Sequence, residues 1–260
     1  MKIYALIPAR AGSKGIPNKN LQKIGGHSLI QRSMSHALES QLIDGIVISS
    51  DSLEIVSSAL EMIDGLSGRL SIDNLKQGSL SLLEDCPSNI FIHYRTAILS
   101  GDISLIGETV KEVHYMLKDI LAEDVCILLL QPTTPFRSRG EVDSFIISCT
   151  SDGLIQDCVS VMKVEDHHPA RMYTAMGDRL KNLGIYEEQE FAPRQFLSDV
   201  YLRDGGFYMI SPTQCRVGQP VGKSSKYFVR TYPFNINIDS TSDLVLAREE
   251  VETDKRLNLA

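Results

Sequence analysis

Short apolar runs alternate with amphipathic helical patterns along nearly the whole chain, and this alternation constrains the fold more than any other feature. Lys2–Pro8 is a short apolar run of the kind that forms a strand buried on both faces. Ser28 is placed to cap a helix carrying Leu29, Ile30, Met34, Ala37 and Leu38 on one face. Gly45–Asp51 reads as a second strand, followed by a helix over about Leu53–Met62, and Ile90–Tyr94 as a third strand. Gly107–Leu121 sets Val110, Val113, Leu117, Ile120 and Leu121 at helical spacing. Val125–Leu130 is the most apolar strand, and it stops abruptly at Gln131-Pro132-Thr133-Thr134-Pro135. A helix over Gly140–Ser148, strands at Cys158–Val164, Gly206–Ile210 and Tyr227–Phe234, and a helix over Thr241–Glu252 complete the series. Strand–helix alternation of this kind predicts an α/β fold with a mostly parallel sheet covered on both faces.

Two stretches break the pattern. Residues 64–89 are Ser/Gly/Asp-rich and weakly periodic, and read as an insertion. Residues 164–203 are polar and read as an excursion from a core formed by residues 1–163 and 204–260. There are no internal repeats.

Composition narrows the class. Over 260 residues, 43% hydrophobic and 23% charged is ordinary for a globular protein and excludes disorder, collagen and coiled coil. No run of about 18 apolar residues is present, so no membrane span is expected, and Met1–Pro8 is too short to read as a signal peptide. Cys86, Cys126, Cys149, Cys158 and Cys215 are odd in number with no C-x-x-C spacing, which fits reduced thiols in a cytoplasmic protein. A net charge of −7 argues against a nucleic-acid partner. The charge is unevenly spread, however. Six Lys and Arg and no acidic residue precede Glu39, whereas 20 Lys and Arg meet 33 Asp and Glu in the remainder. A basic, glycine-rich start on an acidic body points to a local anion site.

That start is Pro8-Ala9-Arg10-Ala11-Gly12-Ser13-Lys14-Gly15-Ile16-Pro17-Asn18-Lys19-Asn20, directly after the first strand, where an α/β sheet opens its ligand crevice. Glycines let backbone N–H groups approach a ligand, and Arg10, Lys14 and Lys19 can neutralise a polyphosphate. The spacing is neither a Walker A loop nor G-x-G-x-x-G.

The string closely resembles the N-terminal motif of the CMP-sugar synthetases, specifically the acylneuraminate cytidylyltransferases and their nonulosonate relatives, near I-P-A-R-x-G-S-K-G-I-P-x-K-N. The related Kdo enzymes lack its second half. Further blocks match in order: Leu129–Arg137, Glu165–Pro169 with its His-His-Pro, Arg203–Tyr208 and Ile238–Leu244. The resemblance therefore covers nearly the whole chain. It implies a Rossmann-like, nucleotide-diphospho-sugar-transferase-like sheet flanked by helices. It also implies CMP transfer from CTP to the anomeric hydroxyl of an acidic nine-carbon sugar of the N-acetylneuraminate, legionaminate or pseudaminate type. Two alternatives stay open: a non-catalytic CTP-binding relative, and a nucleotidyltransferase for a Kdo-type sugar or a sugar phosphate.

Residue by residue, the resemblance implies that Arg10, Gly12, Ser13, Lys14 and Lys19 hold the triphosphate, that Asn20 reads cytosine, and that Arg95 lies on the nucleotide side. Gln131, Thr133, Thr134, Arg171, Arg194 and Tyr208 fall to the sugar, with Arg171 standing where relatives often carry Lys. Asp239 is the implied Mg²⁺ ligand. Relatives often read Asp-Ile-Asp here, whereas this chain reads Asn237-Ile238-Asp239, with both polar side chains expected on one side of a strand. Asp243, near a helix start, reads as structural. Adjacent His167 and His168 point opposite ways on an extended segment and make a poor metal pair. Relatives form homodimers in which the excursion reaches the neighbouring subunit's site, so Arg171 and Arg194 are expected to serve a partner.

Overall fold

The computed structural model describes residues 1–63, 75–83, 86, 89–101, 105–151, 153–230 and 235–254. The elements that build the core are β1 (Lys2–Pro8), α1 (Leu29–Glu39), β2 (Gly45–Ser50), α2 (Leu53–Leu60), β3 (Ser79–Leu82) and β4 (Ile90–Tyr94). They are followed by α3 (Ile106–Leu121), β5 (Val125–Leu129), α4 (Glu141–Cys149) and β6 (Cys158–Lys163). A small hairpin of β7 (Tyr173–Met176) and β8 (Arg179–Asn182) then precedes β9 (Tyr201–Ile210), α5 (Pro212–Val217), β10 (Lys226–Val229) and α6 (Thr241–Thr253).

Eight strands form one sheet in the order β10-β6-β9-β5-β1-β2-β4-β3. Its centre, β5-β1-β2-β4, is wholly parallel. β9 runs antiparallel to both β5 and β6, and β3 closes the other edge antiparallel to β4. β1 shows why the run is apolar throughout. Ile3, Ala5 and Ile7 face a core shared with α1, α2 and α4. Tyr4 and Leu6 face the opposite core, against Val110, Val113 and Leu117 of α3. Both faces are covered, as the alternation of elements requires.

Local signals fix the helix starts. The Ser28 hydroxyl accepts from Gln31 N at 3.3 Å while the Gln31 side chain accepts from Ser28 N at 2.8 Å, a complete capping box. Ser240 and Asp243 repeat the device at α6, which accounts for the structural reading of Asp243.

Four expectations change. Ile120 is 51% exposed, so the buried stripe of α3 is narrower than its apolar spacing suggests. The stretch 64–89 is not all insertion, because Ser79–Leu82 pairs with Tyr94–Phe91 as an edge strand. Residues 64–74, 84–85 and 87–88 lie outside the described residues. The strand expected at Gly206–Ile210 begins at Tyr201, whose first three residues pair with Lys163, Met162 and Val161. The strand expected at Tyr227–Phe234 is Lys226–Val229, and residues 231–234 lie outside the described residues.

A register shift between Val159 and Val161 bends β9 at Gly205, whose φ of 77° suits glycine. At the bend Asp204 is buried. Arg230 Nη1 donates to it at 3.2 Å, and Arg230 Nε donates to Glu141 Oε1 at 2.7 Å. Arg230 therefore sits between two carboxylates that water does not reach. Arg230→Met is expected to lower the unfolding free energy by about 3–5 kcal/mol, because both carboxylates would stay buried without their cation. Urea denaturation measures this, and a loss under about 1 kcal/mol would contradict it.

Candidate functional site

The C-terminal ends of the parallel strands open onto one cavity of about 400 Å³. The loop after β1 makes one wall. Ala9 N donates to Ser49 O at 2.9 Å and Ala11 N to Asp51 Oδ1 at 2.8 Å, which fold the loop over the end of β2. Asn20 Nδ2 donates to Arg10 O at 2.8 Å and closes the loop on itself. Arg10, Ser13, Lys14, Lys19 and Asn20 consequently line one cavity. Gly12 is exposed at the tip of the loop, and a Cβ there would meet nothing within 4 Å.

Arg95 comes from the end of β4. It is only 4% exposed and lines the cavity. Its Nε donates to Ser49 Oγ at 2.7 Å, while Nη2 is buried without a hydrogen-bond partner. Burial lowers its pKa to about 10, with Arg10 adding to the fall and Asp51 and Glu112 opposing it. It remains charged at neutral pH. A buried guanidinium with an unused donor favours an anion.

The opposite wall brings in residues more than 200 positions away. Lys19 Nζ donates to Ile238 O at 2.8 Å and lies 3.1 Å from Asp239 Oδ1. Asn237 Nδ2 donates to the other oxygen of the same carboxylate. Residues 235–239 belong to no strand, and this corrects the expected strand. The alternation survives all the same, with Ile236 and Ile238 buried and Asn237 and Asp239 exposed. Asp239 lines the cavity, and Asn237 reaches it only through Asp239. Asp243 accepts from the backbone N–H groups of Asp239 and Ser240, which hold its carboxyl below the usual range.

Gln131 and Thr133, after β5, line the same cavity, and Thr133 O accepts from Ile238 N at 2.7 Å. Thr134 does not reach it. Its hydroxyl is buried facing Gly205, where an added Cβ would lie 2.9 Å away. Gln131 and Ile106 are shared with a second cavity of about 270 Å³ that Tyr208 lines. Burial raises the Tyr208 pKa, and Arg203 opposes the rise.

Arg203 was missing from the expected site residues although it begins the Arg203–Tyr208 block. It lines this second cavity together with Tyr208, and the signal was its place at the head of that block. Arg137, at the end of the Leu129–Arg137 block, lines neither cavity and instead braces both. Its Nη2 donates to Gln131 O at 3.1 Å and to Gly206 O at 3.0 Å, and burial lowers its pKa to about 9.

Arg171 and Arg194 do not join these cavities. Arg171 Nη2 donates to Ala192 O at 2.7 Å, and Arg194 pairs with Glu165 at 2.8 Å and Asp166 at 3.3 Å. His168 is committed to the excursion's own frame: Nδ1 accepts from Ala170 N, and Nε2 lies 3.0 Å from Ser198 O. Among the described residues, no group of three or more His, Cys, Asp or Glu is placed to hold a metal ion.

Comparison with known proteins finds that residues 4–110 match the family model described as Cytidylyltransferase. The CMP-N,N'-diacetyllegionaminic acid synthase of Legionella pneumophila is 31% identical over 137 residues, which are 53% of this chain and 48% of that protein. The pseudaminic acid cytidylyltransferase of Campylobacter jejuni is 48% identical over 61 residues, 24% of this chain and 26% of that protein. The matches thus span about half or less of these relatives' lengths. Among solved structures, a CMP:2-keto-3-deoxy-manno-octonic acid synthetase complexed with CTP superposes with a TM-score of 0.61, covering 97% of this chain and 99% of that one. At 14% identity the likeness is one of fold.

A polyanion is expected to bind the main cavity. Inorganic tripolyphosphate at about 100 times its Kd should stabilise the protein by about 2.7 kcal/mol, read as a rise in melting temperature. Arg95→Ala should lose most of that rise. A wild-type melt unmoved by tripolyphosphate would contradict the assignment.

Proposed function

We propose that this chain, whose residues 4–110 match a cytidylyltransferase family model, transfers CMP from CTP to the anomeric hydroxyl of a sialic-acid-like nonulosonate and releases pyrophosphate. One observation carries the reading: Arg10, Ser13, Lys14, Lys19, Arg95 and Asp239 line a single cavity that also holds Gln131 and Thr133. The likeness to legionaminic and pseudaminic acid enzymes supports the sugar class.

The chemistry is in-line displacement at the α-phosphorus, so catalysis rests on positioning and on charge neutralisation. Arg10 and Lys19 neutralise the leaving pyrophosphate, with Ser13, Lys14 and the Gly12 backbone along the triphosphate. Asn20, whose Nδ2 already serves Arg10 O, offers its carboxamide oxygen to the cytosine amino group. Gln131 and Tyr208 meet the sugar along the second cavity, with Thr133 beside Gln131 in the main one and Arg203 a further cation for the sugar's carboxylate. Thr134 supports them from behind.

Mg²⁺ fits the donor set in one way. It takes one or two protein carboxylates together with phosphate oxygens, and Asp239 supplies one carboxylate at the cavity wall, with Asn237 hydrogen-bonded to it. Bound there with CTP, the ion would neutralise phosphate charge. We further propose a homodimer. Phe191, Leu180 and Phe196 of the excursion are 91%, 72% and 70% exposed, which marks an interaction surface. Arg171 and Arg194 would then serve the partner's sugar site. The five cysteines are free, and no helix among the described residues is long and apolar enough to cross a membrane, in keeping with a cytoplasmic enzyme.

The test is pyrophosphate release with CTP and Mg²⁺ across N-acetylneuraminate, legionaminate, pseudaminate and Kdo. Release is expected with at least one nine-carbon acid. CTP binding with release from none would instead favour a non-catalytic nucleotide binder, and release with Kdo alone an eight-carbon substrate. In the active assay, Asn237→Asp should lower the Mg²⁺ concentration giving half-maximal rate by several-fold, on the order of one added carboxylate ligand. An unchanged midpoint would remove Asn237 from the metal site.

A further inference from the structure

Behind Arg95 lies a buried polar chain that the proposed reaction does not use. Ser49 is the β2 residue paired with His93 across the β2–β4 ladder, and both side chains are fully buried. Ser49 Oγ accepts from Arg95 Nε at 2.7 Å and lies 2.8 Å from His93 Nδ1. On the far side of the ring, His93 Nε2 lies 3.3 Å from Glu112 Oε2, one turn and a half into α3.

The direction of this chain follows from counting protons. Arg95 Nε only donates, so Ser49 Oγ must accept from it and has one proton of its own to give. Glu112 only accepts when ionised, so the proton of a neutral imidazole belongs on Nε2, facing the carboxylate. Nδ1 is then the acceptor for the serine hydroxyl. Burial and the neighbouring Arg95 charge lower the His93 pKa to about 4, which keeps the ring neutral and Nδ1 free to accept at any working pH. The hydrogen bonds of the chain run from Arg95 Nε through Ser49 to His93 Nδ1, while His93 Nε2 and Glu112 Oε2 approach each other without a hydrogen bond. The guanidinium fork that remains, including the unpartnered Nη2, is left for a ligand.

Resting on the reading of the cavity as a CTP site, we propose that Ser49 and His93 are positioning residues for nucleotide binding, holding the Arg95 guanidinium by its Nε so that its remaining donors serve the triphosphate. A guanidinium on a flexible stem can point many ways, and fixing Nε removes most of that freedom before the ligand arrives. The serine is the joint: no other residue type of that size both accepts from Arg95 and donates to His93.

The test measures CTP affinity and steady-state kinetics together. Wild-type protein binding no CTP in calorimetry would defeat the functional reading itself, and only with binding in hand does the following series bear on Ser49 and His93. Ser49→Ala and His93→Leu should each raise the CTP Kd and KM about tenfold, on the order of one charge-assisted hydrogen bond, with kcat changed less than about threefold. His93→Asn, whose side-chain oxygen can take the place of Nδ1, should recover most of the affinity. In an Arg95→Lys background, which lacks the Nε donor, Ser49→Ala should cost less than about twofold more, because the residues act as one unit. Unchanged CTP affinity in Ser49→Ala would overturn the proposal. So would a full tenfold loss persisting in the Arg95→Lys background, which would mean that the serine acts on the fold and not through Arg95. Should His93→Leu fail to fold, Ser49→Ala, which leaves the volume nearly unchanged, reads the same quantity.

Discussion

The site depends on a small apolar cluster that welds two distant parts of the chain together. Ile16, Ile24 and Leu29 pack with Phe136 on one side and with Ile236, Ile238, Leu244, Ala247 and Val251 on the other. Each such side chain contributes roughly 1.5–3 kcal/mol when buried. By contrast, the Lys19–Asp239 pair joins a carboxylate that is largely exposed, and exposed pairs contribute about 0–1 kcal/mol. The apolar contacts therefore set where residues 235–251 lie, and the charges follow. Once Ile238 is seated, its carbonyl accepts from Lys19 and its N–H donates to Thr133 O. One buried isoleucine thus ties the basic loop, the end of β5 and the acidic residue into a common wall.

Buried arginines divide the molecule into scaffold and site. Arg230 lies between Glu141 and Asp204, and those carboxylates raise its pKa in spite of its burial. Arg137 binds backbone carbonyls and falls to about 9, since carbonyl dipoles compensate a buried charge less fully than carboxylates do. Arg95 also falls, to about 10, and its bonded partner is a hydroxyl. The two lowered cations differ in position: Arg137 stands behind Gln131 and Gly206, whereas Arg95 is on the cavity wall. An anion reaching Arg95 restores what burial removed, and this is how a folded protein stores affinity for a charged ligand.

The sequence was most legible where a short period or a local contact decides the outcome. The runs at β1, β2 and β5 are apolar because helices cover both faces, and Ser28 with Gln31 is a cap readable four residues at a time. Lys19 and Asp239 could be named separately, yet their contact could not be read, because it is made by packing between segments 220 positions apart. β3 was hidden since Ser79-Leu80-Ser81-Leu82 is an edge strand with partly exposed residues, and its alternation is lost in a Ser-rich stretch. Arg137 and Arg230 gave no signal of their roles, as their partners include Gly206, Glu141 and Phe136, 69 to 94 positions away. Arg95 could be named from its motif, yet its burial could not be read, because a strand end is ordinarily exposed. Here Ser49 and α3 enclose it.

One carboxylate at the proposed Mg²⁺ position is compatible with the proposed chemistry. In the absence of ligand, Asp239 accepts from Lys19 on one oxygen and from Asn237 on the other, so donors already occupy its inner face. A divalent ion arriving alone would have to displace an ammonium to gain a single carboxylate, and Mg²⁺ gives up its water reluctantly. Arriving with a triphosphate, it brings most of its oxygen ligands with it, while the phosphates offer Lys19 a richer partner than Asp239. Within the same cavity Lys19 would then have a phosphate to pair with, and the Asp239 carboxylate would be available to hold the ion. Asn237, which donates to that carboxylate, would orient it without adding the second negative charge that would hold a bare cation.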